Sequence, residues 1–172
     1  MDRNSATAFS TILLSAVCLF SPERASAQSG KHGAKVAVSQ SAASGCDASL
    51  WNHVYSPKRL QQLSPCMSVT GLITESNADA DGDQHFLLRL DAGQDKLVNK
   101  RNSKKKGGDL VLEIVCANPT SMKKPRSACA GYTNRIPIPR LGAHVRATGT
   151  YVLDSHNGWT EIHPVSKFDA MK

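Results

Sequence analysis

The feature that most constrains the fold is a hairpin pattern in residues 139–165. From Val145 to Leu153 the side chains alternate between a largely apolar face and a more polar one, and a period of two indicates a half-buried strand. Asn157-Gly158 then predicts a tight turn, because both residues tolerate a positive φ. The alternation resumes over 159–165. The chain therefore needs further strands with which this hairpin can pair.

Three earlier segments supply such strands: 66–74, 84–91 and 109–116. Gly71, in the middle of the first, predicts a bulge or a sharp bend. The third is largely apolar on both faces, which indicates a central strand. Five strands, few helices, glycines at bends and long connections predict an all-β domain, a small five-stranded closed barrel with long loops.

Parts of the sequence resemble a known fold family. Pro139-x-x-Gly142-x-x-Val145 and Gly149-x-Tyr151 resemble the fourth strand of the oligonucleotide/oligosaccharide-binding fold, the OB-fold. The segment 158–165 resembles the ending of small exported bacterial proteins that carry an OB-like domain and have no assigned function. The resemblance covers Cys66 to Lys167. One departure is that a basic loop at 117–128, pinned by a disulfide, replaces the usual helix between strands three and four.

The resemblance implies where a ligand would bind. OB-folds bind on strands two and three, between the first-to-second and fourth-to-fifth strand loops. Here those regions are 81–89, 109–115 and 154–159. Members that bind nucleic acid stack bases on exposed aromatic rings, and the candidates are Phe86, Tyr132, Tyr151 and Trp159. The alternative for Trp159 is that it closes the end of the barrel.

The first 45 residues are predicted to lie outside the fold. Residues 1–27 resemble a secretory signal peptide, with an apolar run and the cleavage pattern Ala25-Ser26-Ala27. Lipid attachment at Cys18 is the alternative. Residues 28–45 are rich in Ser, Ala and Gly and predict a flexible linker. The folded domain is expected at 46–172, in a secreted or periplasmic protein without stable membrane insertion.

The remaining four cysteines predict two disulfides, as expected for an exported chain. Four cysteines allow three pairings, and proximity in the sequence favours Cys46–Cys66 and Cys116–Cys129. Zinc binding by the cysteines is the alternative, although the chain has no C-x-x-C spacing.

Charge indicates the class of ligand. The formal net charge is +7, which favours polyanions such as single-stranded nucleic acid or an acidic glycan. The basic residues concentrate in two segments, 92–108 and 117–128, both expected to be loops. The predicted ligand-binding residues are Phe86, Arg89, Lys96, Lys100, Arg101, Lys104, Lys105, Lys106, Lys123, Lys124, Arg126 and Trp159. The alternative is a monomeric envelope module that binds a protein partner, its charge being incidental.

Catalytic motifs are missing from the sequence. It contains no G-x-S-x-G, H-E-x-x-H or P-loop pattern, so we expect a non-enzymatic protein without a cofactor or metal. Residues 77–82 match the first half of a calcium loop, but an Asp-Gly hairpin turn explains most of that match. The alternative function is a small metal-dependent hydrolase. It would use residues that strand pairing could bring together: His85, Glu113, Glu161 and His163.

Overall fold

A five-stranded mixed sheet dominates the computed structural model, which describes residues 45–172. The predicted signal peptide, Cys18 and nearly all of the predicted linker lie outside the described residues. The strands are β1 (Leu60–Ala78), β2 (Gln84–Leu90), β3 (Leu110–Ile114), β4 (His144–Asp154) and β5 (Thr160–Ala170). Two short helices, α1 (Lys100–Lys106) and α2 (Lys123–Ala128), lie between strands, and 3₁₀ turns span Ala48–His53, Pro57–Arg59 and Asp95–Leu97. The all-β prediction is confirmed.

Each strand pairs with two others. β1 is antiparallel to both β2 and β4, β2 is antiparallel to β3, and β4 is antiparallel to β5. β3 and β5 run parallel, with Val111 opposite Glu161. The order β1-β2-β3-β5-β4 therefore closes on itself. This closure places the turn between β1 and β2 near the turn between β4 and β5, and both turns border the site described below.

The length of β1 differs from the prediction. The sequence predicted a strand from Cys66, whereas β1 begins at Leu60, directly after the 3₁₀ turn Pro57–Arg59. Leu60 is extended because it pairs with Asp154 of β4, a partner too distant in sequence to be predicted. The register shift with β2 lies between Ile73 and Glu75 rather than at Gly71. Gly71 instead allows close approach, since a Cβ there would collide with the carbonyl of Arg89.

Two hydrophobic clusters stabilise the sheet. The first uses the apolar faces predicted from alternation, including Phe86, Leu88, Leu112, Val145 and Tyr151. The second packs the 3₁₀ turn Ala48–His53 against the other face of β3 and β4, using residues such as Leu50, Val115 and Val152, with Trp51 at its edge. As predicted, β3 is buried on both faces; it pairs with β2 and β5, and in a closed strand order no strand is more central than another.

The first basic segment is partly helical, which corrects the prediction of a loop over 92–108. Asn99 caps α1 by accepting hydrogen bonds from Arg101 N and Asn102 N, and Gly107 ends it at φ 65°. Asn102 is fully buried, and its Nδ2 donates to the carbonyls of Thr160 (2.9 Å) and Asp109 (3.2 Å). These bonds fix α1 against the beginnings of β3 and β5.

The second basic segment also contains a helix. α2 lies between β3 and β4, where the sequence predicted a loop without one. Pro125 is tolerated because it lies in the first turn, where its missing N–H would be unpaired in any case. Both favoured disulfides, Cys46–Cys66 and Cys116–Cys129, are present, so the cysteines are not zinc ligands. Neither α2 nor any other helix in residues 45–172 is long and apolar enough to cross a membrane.

Candidate functional site

A polar pocket of about 260 Å³ opens between the turn that joins β1 to β2 and the turn that joins β4 to β5. We call it the mouth pocket. The residues that line it are Arg59, Glu75, Asn77, Asp79, Asp81, His85, Lys106, Glu113, Asn157 and Trp159. Half of them come from the three regions predicted to form a binding face. Four carboxylates face two permanent cations, Arg59 and Lys106, so the lining is more acidic than the chain as a whole.

Glu113 forms the floor of the mouth pocket. It projects from β3, and its Oε2 lies 2.7 Å from Nδ1 of His163 on β5. The same nitrogen lies 3.1 Å from Oε1 of Glu161, whose Oε2 accepts a hydrogen bond from Trp159 Nε1. Burial alone would raise the pKa of Glu113, but the interactions with His163 and His85 together outweigh it and hold that pKa well below its usual range. Glu113 is therefore ionised at neutral pH.

His163 and Glu161 are the two other groups of this buried cluster. Burial opposes a charge on His163, but the carboxylates of Glu113 and Glu161 outweigh it and raise its pKa well above the usual value. Burial and the nearby charge of Glu113 raise the pKa of Glu161. β5, which runs parallel to β3, thus supplies two groups of the cluster. They are His163, the cation that neutralises Glu113, and Glu161, a second carboxyl group, whose pKa is raised.

His85 connects this floor to the rim. Its Nδ1 lies 3.5 Å from Asp79 Oδ2 and 3.5 Å from Glu113 Oε1, while its Nε2 lies 3.3 Å from Lys106 Nζ. Burial would lower the pKa of His85, but the nearby carboxylates of Asp79 and Glu113 outweigh it and raise the pKa to about 9. The Lys106 ammonium also lies 4.3 Å from the centre of the Trp159 ring.

Asp83 ends the turn between β1 and β2 and points inward. Its Oδ1 accepts a hydrogen bond from Cys116 N (2.8 Å), and its Oδ2 lies 4.0 Å from His163 Nε2. Burial raises the pKa of Asp83 to about 7. The Nε2 atom of His163 is buried and has no hydrogen-bond partner among the described residues.

Arg59 is a site residue that sequence reasoning missed, and its partner Asp154 lies in the predicted region 154–159 but was given no role there. Arg59 Nη1 donates to Asp154 Oδ2 (2.7 Å), and Arg59 Nη2 lies 3.9 Å from Glu113 Oε2. Asp154 is fully buried and caps the hairpin turn by accepting from the backbone N–H groups of His156 and Asn157. An aspartate at a strand end, three residues before Asn157-Gly158, is a signal for such a turn.

The predicted ligand-binding residues occupy three kinds of position. Phe86 is fully buried in the core, so its ring has no exposed face on which to stack a base. Trp159 is half-buried at the mouth pocket and bonded to Glu161. The cations of α1 and α2 lie at the surface, Lys106 being half-buried, and Arg89 and Lys96 are exposed outside the pocket lining.

The four residues of the hydrolase alternative do come together. His85, Glu113 and His163 are within 3.5 Å of their neighbours in one chain of contacts, which Glu161 completes. The turn that resembled a calcium loop is a hairpin turn, in which Asp79 N donates to Asp83 O and Gly82 has φ 98°. Its Asp79 contributes to the mouth pocket instead.

The raised pKa of His85 predicts a pH-dependent stability. A histidine with a folded pKa of about 9 and an unfolded pKa of 6.5 stabilises the fold fully below pH 6.5, and this stabilisation is lost as the pH rises through 9. Over this pH interval, in EDTA, we expect the free energy of unfolding of the wild-type protein to fall by on the order of 2–3 kcal/mol more than that of the His85→Gln variant. Urea unfolding in EDTA at a series of pH values measures it. Parallel pH profiles for the two proteins would contradict it.

Comparison with known proteins adds no identification. No protein-family model matches the chain. No curated protein sequence matches it either.

Proposed function

We propose that this protein is a non-enzymatic, secreted or periplasmic binding module of the OB type, which binds a polyanion across the mouth pocket. The strand order β1-β2-β3-β5-β4, the parallel β3–β5 pair and a helix between β3 and β4 support the OB assignment. Two disulfides support an oxidising compartment. Of the polyanions predicted from the charge, single-stranded nucleic acid is the one that the pocket favours.

The observation that carries the proposal is the attachment of both basic segments to the turns that border the mouth pocket. In front of α1 and within it, Asn99 Nδ2 donates to Gly158 O and Arg101 Nε donates to Asn157 O, both at 3.0 Å. Before α2, Thr120 Oγ1 donates to Ala80 O (2.8 Å) and Asn118 N donates to Gly82 O (2.7 Å). Two separate basic segments are thus attached to the turns that border one opening, and this supports the proposal that their cations follow a phosphate backbone.

The acidic lining of the mouth pocket explains why a single-stranded nucleic acid would bind there better than a duplex. Phosphates would be repelled by Glu75, Asp79 and Asp81, whereas the exocyclic amino groups of bases donate hydrogen bonds to carboxylates. We therefore place the phosphates on the lysines of α1 and a base in the pocket, stacked on Trp159 in place of the Lys106 ammonium. A duplex does not present unpaired base edges, and a sulfated glycan has no aromatic base to stack.

Removing three exposed lysines of α1 tests this proposal. We expect Lys100→Ala, Lys104→Ala and Lys105→Ala together to weaken binding of a labelled single-stranded oligonucleotide by roughly tenfold or more, and to reduce the salt slope by about 2. Fluorescence anisotropy at several salt concentrations measures both quantities. The matched control removes the same charge elsewhere, by Arg135→Ala, Arg140→Ala and Arg146→Ala. Equal losses in the two variants would contradict a site at the mouth pocket.

The convergence of His85, Glu113, Glu161 and His163 favours a second candidate function, metal-dependent hydrolysis. Buried groups with opposite pKa shifts beside a pocket are typical of acid–base sites. A phosphodiester bound along the rim would lie close to this cluster. Cleavage of the oligonucleotide during the binding experiment, lost in Glu161→Gln, would establish it in place of the binding module.

A further inference from the structure

Three side chains at the mouth pocket place one ligand atom each around a common point. Nδ1 of His85 lies 3.5 Å from Asp79 Oδ2 and 3.5 Å from Glu113 Oε1. All three ligand atoms lie within 4.8 Å of one another. These separations are longer than ordinary hydrogen bonds. They match the edge of a tetrahedron around a metal ion with bonds of about 2.1 Å, which is about 3.4 Å.

The carboxylate at the centre of this triple is held from behind. While Glu113 Oε1 faces His85, its Oε2 is fixed by His163 Nδ1 at 2.7 Å, with Arg59 at 3.9 Å. Such outer contacts orient ligating carboxylates in metal sites. On the other side, Asp79 is 44% exposed, so an ion can reach the triple from solvent through the pocket.

A second group of possible ligands lies behind Glu113. Glu113 belongs to an overlapping triple with Asp83 and His163. His163 is 1% exposed. Its Nε2 atom has no hydrogen-bond partner among the described residues and lies 4.0 Å from Asp83 Oδ2. Buried polar atoms normally have partners. Within the described part of the chain, Nε2–H of the protonated His163 is therefore a buried donor without a partner rather than a metal ligand, and the ligands of the ion are those of the first triple.

We propose that the mouth pocket binds one divalent transition-metal ion of the zinc class through His85 Nδ1, Asp79 and Glu113. An imidazole with two carboxylates suits zinc or manganese better than calcium or magnesium, which prefer oxygen ligands alone. The fourth position faces the pocket, as in sites that bind water or a substrate oxygen. The ion binds Nδ1 of His85, whereas Lys106 lies at Nε2 on the other side of the same ring. The ion therefore leaves Lys106 in its place over Trp159. This proposal deepens the hydrolase candidate by naming the metal ligands, but binding of the ion does not require hydrolysis.

Titration calorimetry of the disulfide-bonded protein with zinc chloride, after removal of metals by EDTA and dialysis, tests the site. We expect about one zinc per chain, with His85→Gln and Asp79→Asn each weakening binding by roughly tenfold or more. Asp81→Asn is the matched control, because Asp81 lines the same pocket outside the triple and its asparagine can still accept the hydrogen bond from Asp83 N. We expect its affinity to stay within about twofold of the wild type.

Three outcomes would overturn the proposal. The first is the absence of zinc binding. The second is wild-type zinc affinity in both His85→Gln and Asp79→Asn, and the third is a loss of zinc affinity in Asp81→Asn as large as in Asp79→Asn. Asp79 is at the surface, so Asp79→Asn remains informative even if His85→Gln unfolds. Oligonucleotide binding is measured on the same samples in EDTA, which separates the two proposals. Zinc binding without oligonucleotide binding supports the metal site and removes the polyanion function, whereas the reverse result overturns the metal site alone.

Discussion

Replacing Glu113 with alanine is expected to destabilise the fold by about 3–5 kcal/mol at neutral pH. The carboxylate is the shared partner of three cationic side chains, His163 at 2.7 Å, His85 at 3.5 Å and Arg59 at 3.9 Å. Removing it leaves the buried imidazolium of His163 with Glu161 at 3.1 Å and Asp83 at 4.0 Å, two carboxyl groups whose pKa values burial raises. An uncompensated buried charge costs more than the lost contact itself.

Denaturant unfolding of the disulfide-bonded protein measures this effect. Glu75→Ala is the control, because Glu75 lines the same pocket but is exposed, and exposed substitutions usually change stability by about 0.5 kcal/mol or less. Glu113→Gln keeps the shape and loses the charge, so it separates the electrostatic part from packing. Similar stabilities for Glu113→Ala and Glu75→Ala would show that the buried cluster does not hold the strands together.

Removing the disulfide Cys116–Cys129 by double alanine substitution is expected to cost about 3 kcal/mol, from the chain entropy of a loop of its size. The bond spans 13 residues of sequence and connects the end of β3 to α2. The intervening segment, through Asn118 and Thr120, contacts the turn between β1 and β2. Its loss should therefore also weaken oligonucleotide binding.

The other disulfide provides the comparison. Cys46–Cys66 has a sequence separation of 20, so its removal should cost a similar free energy of unfolding. It joins the N-terminal 3₁₀ turn to β1, and neither cysteine lines the mouth pocket. We expect oligonucleotide affinity to fall only in the Cys116→Ala/Cys129→Ala protein when both variants are compared under conditions where they remain folded. Equal affinities in the two double variants would contradict a role of the 117–128 segment in the site.

The strands were predictable because each carries its own pattern. Alternation identified the inward face of β4 from Val145 to Tyr151, and Asn157-Gly158 identified the turn that follows. Proximity was enough to identify the disulfides, since short loops close more easily. By contrast, α1 has no apolar stripe, and its signals are the local caps Asn99, Asn102 and Gly107. A lysine-rich segment without periodicity therefore predicted a loop.

The buried cluster was only half predictable. Glu113 was conspicuous as a carboxylate in an apolar strand, and His163 as an alternating partner of Glu161. Their contact depends on the parallel pairing of β3 with β5, which brings together residues that are distant in the sequence. Arg59 could not be predicted, because its position depends on β1 extending back to Leu60 beside Asp154. Pairing register is a property of the whole sheet rather than of any one segment.

The most direct test of the account is to map a single-stranded oligonucleotide onto the protein by the amide chemical shifts of the isotopically labelled domain. A site at the mouth pocket predicts that the largest changes occur in the turns at 79–83 and 154–159, in α1, and at the indole of Trp159. The opposite result would be chemical-shift changes around the exposed side chains Ile138 and Leu141, or no chemical-shift changes at a large excess of oligonucleotide. That result would contradict the polyanion site and favour an envelope protein as the partner.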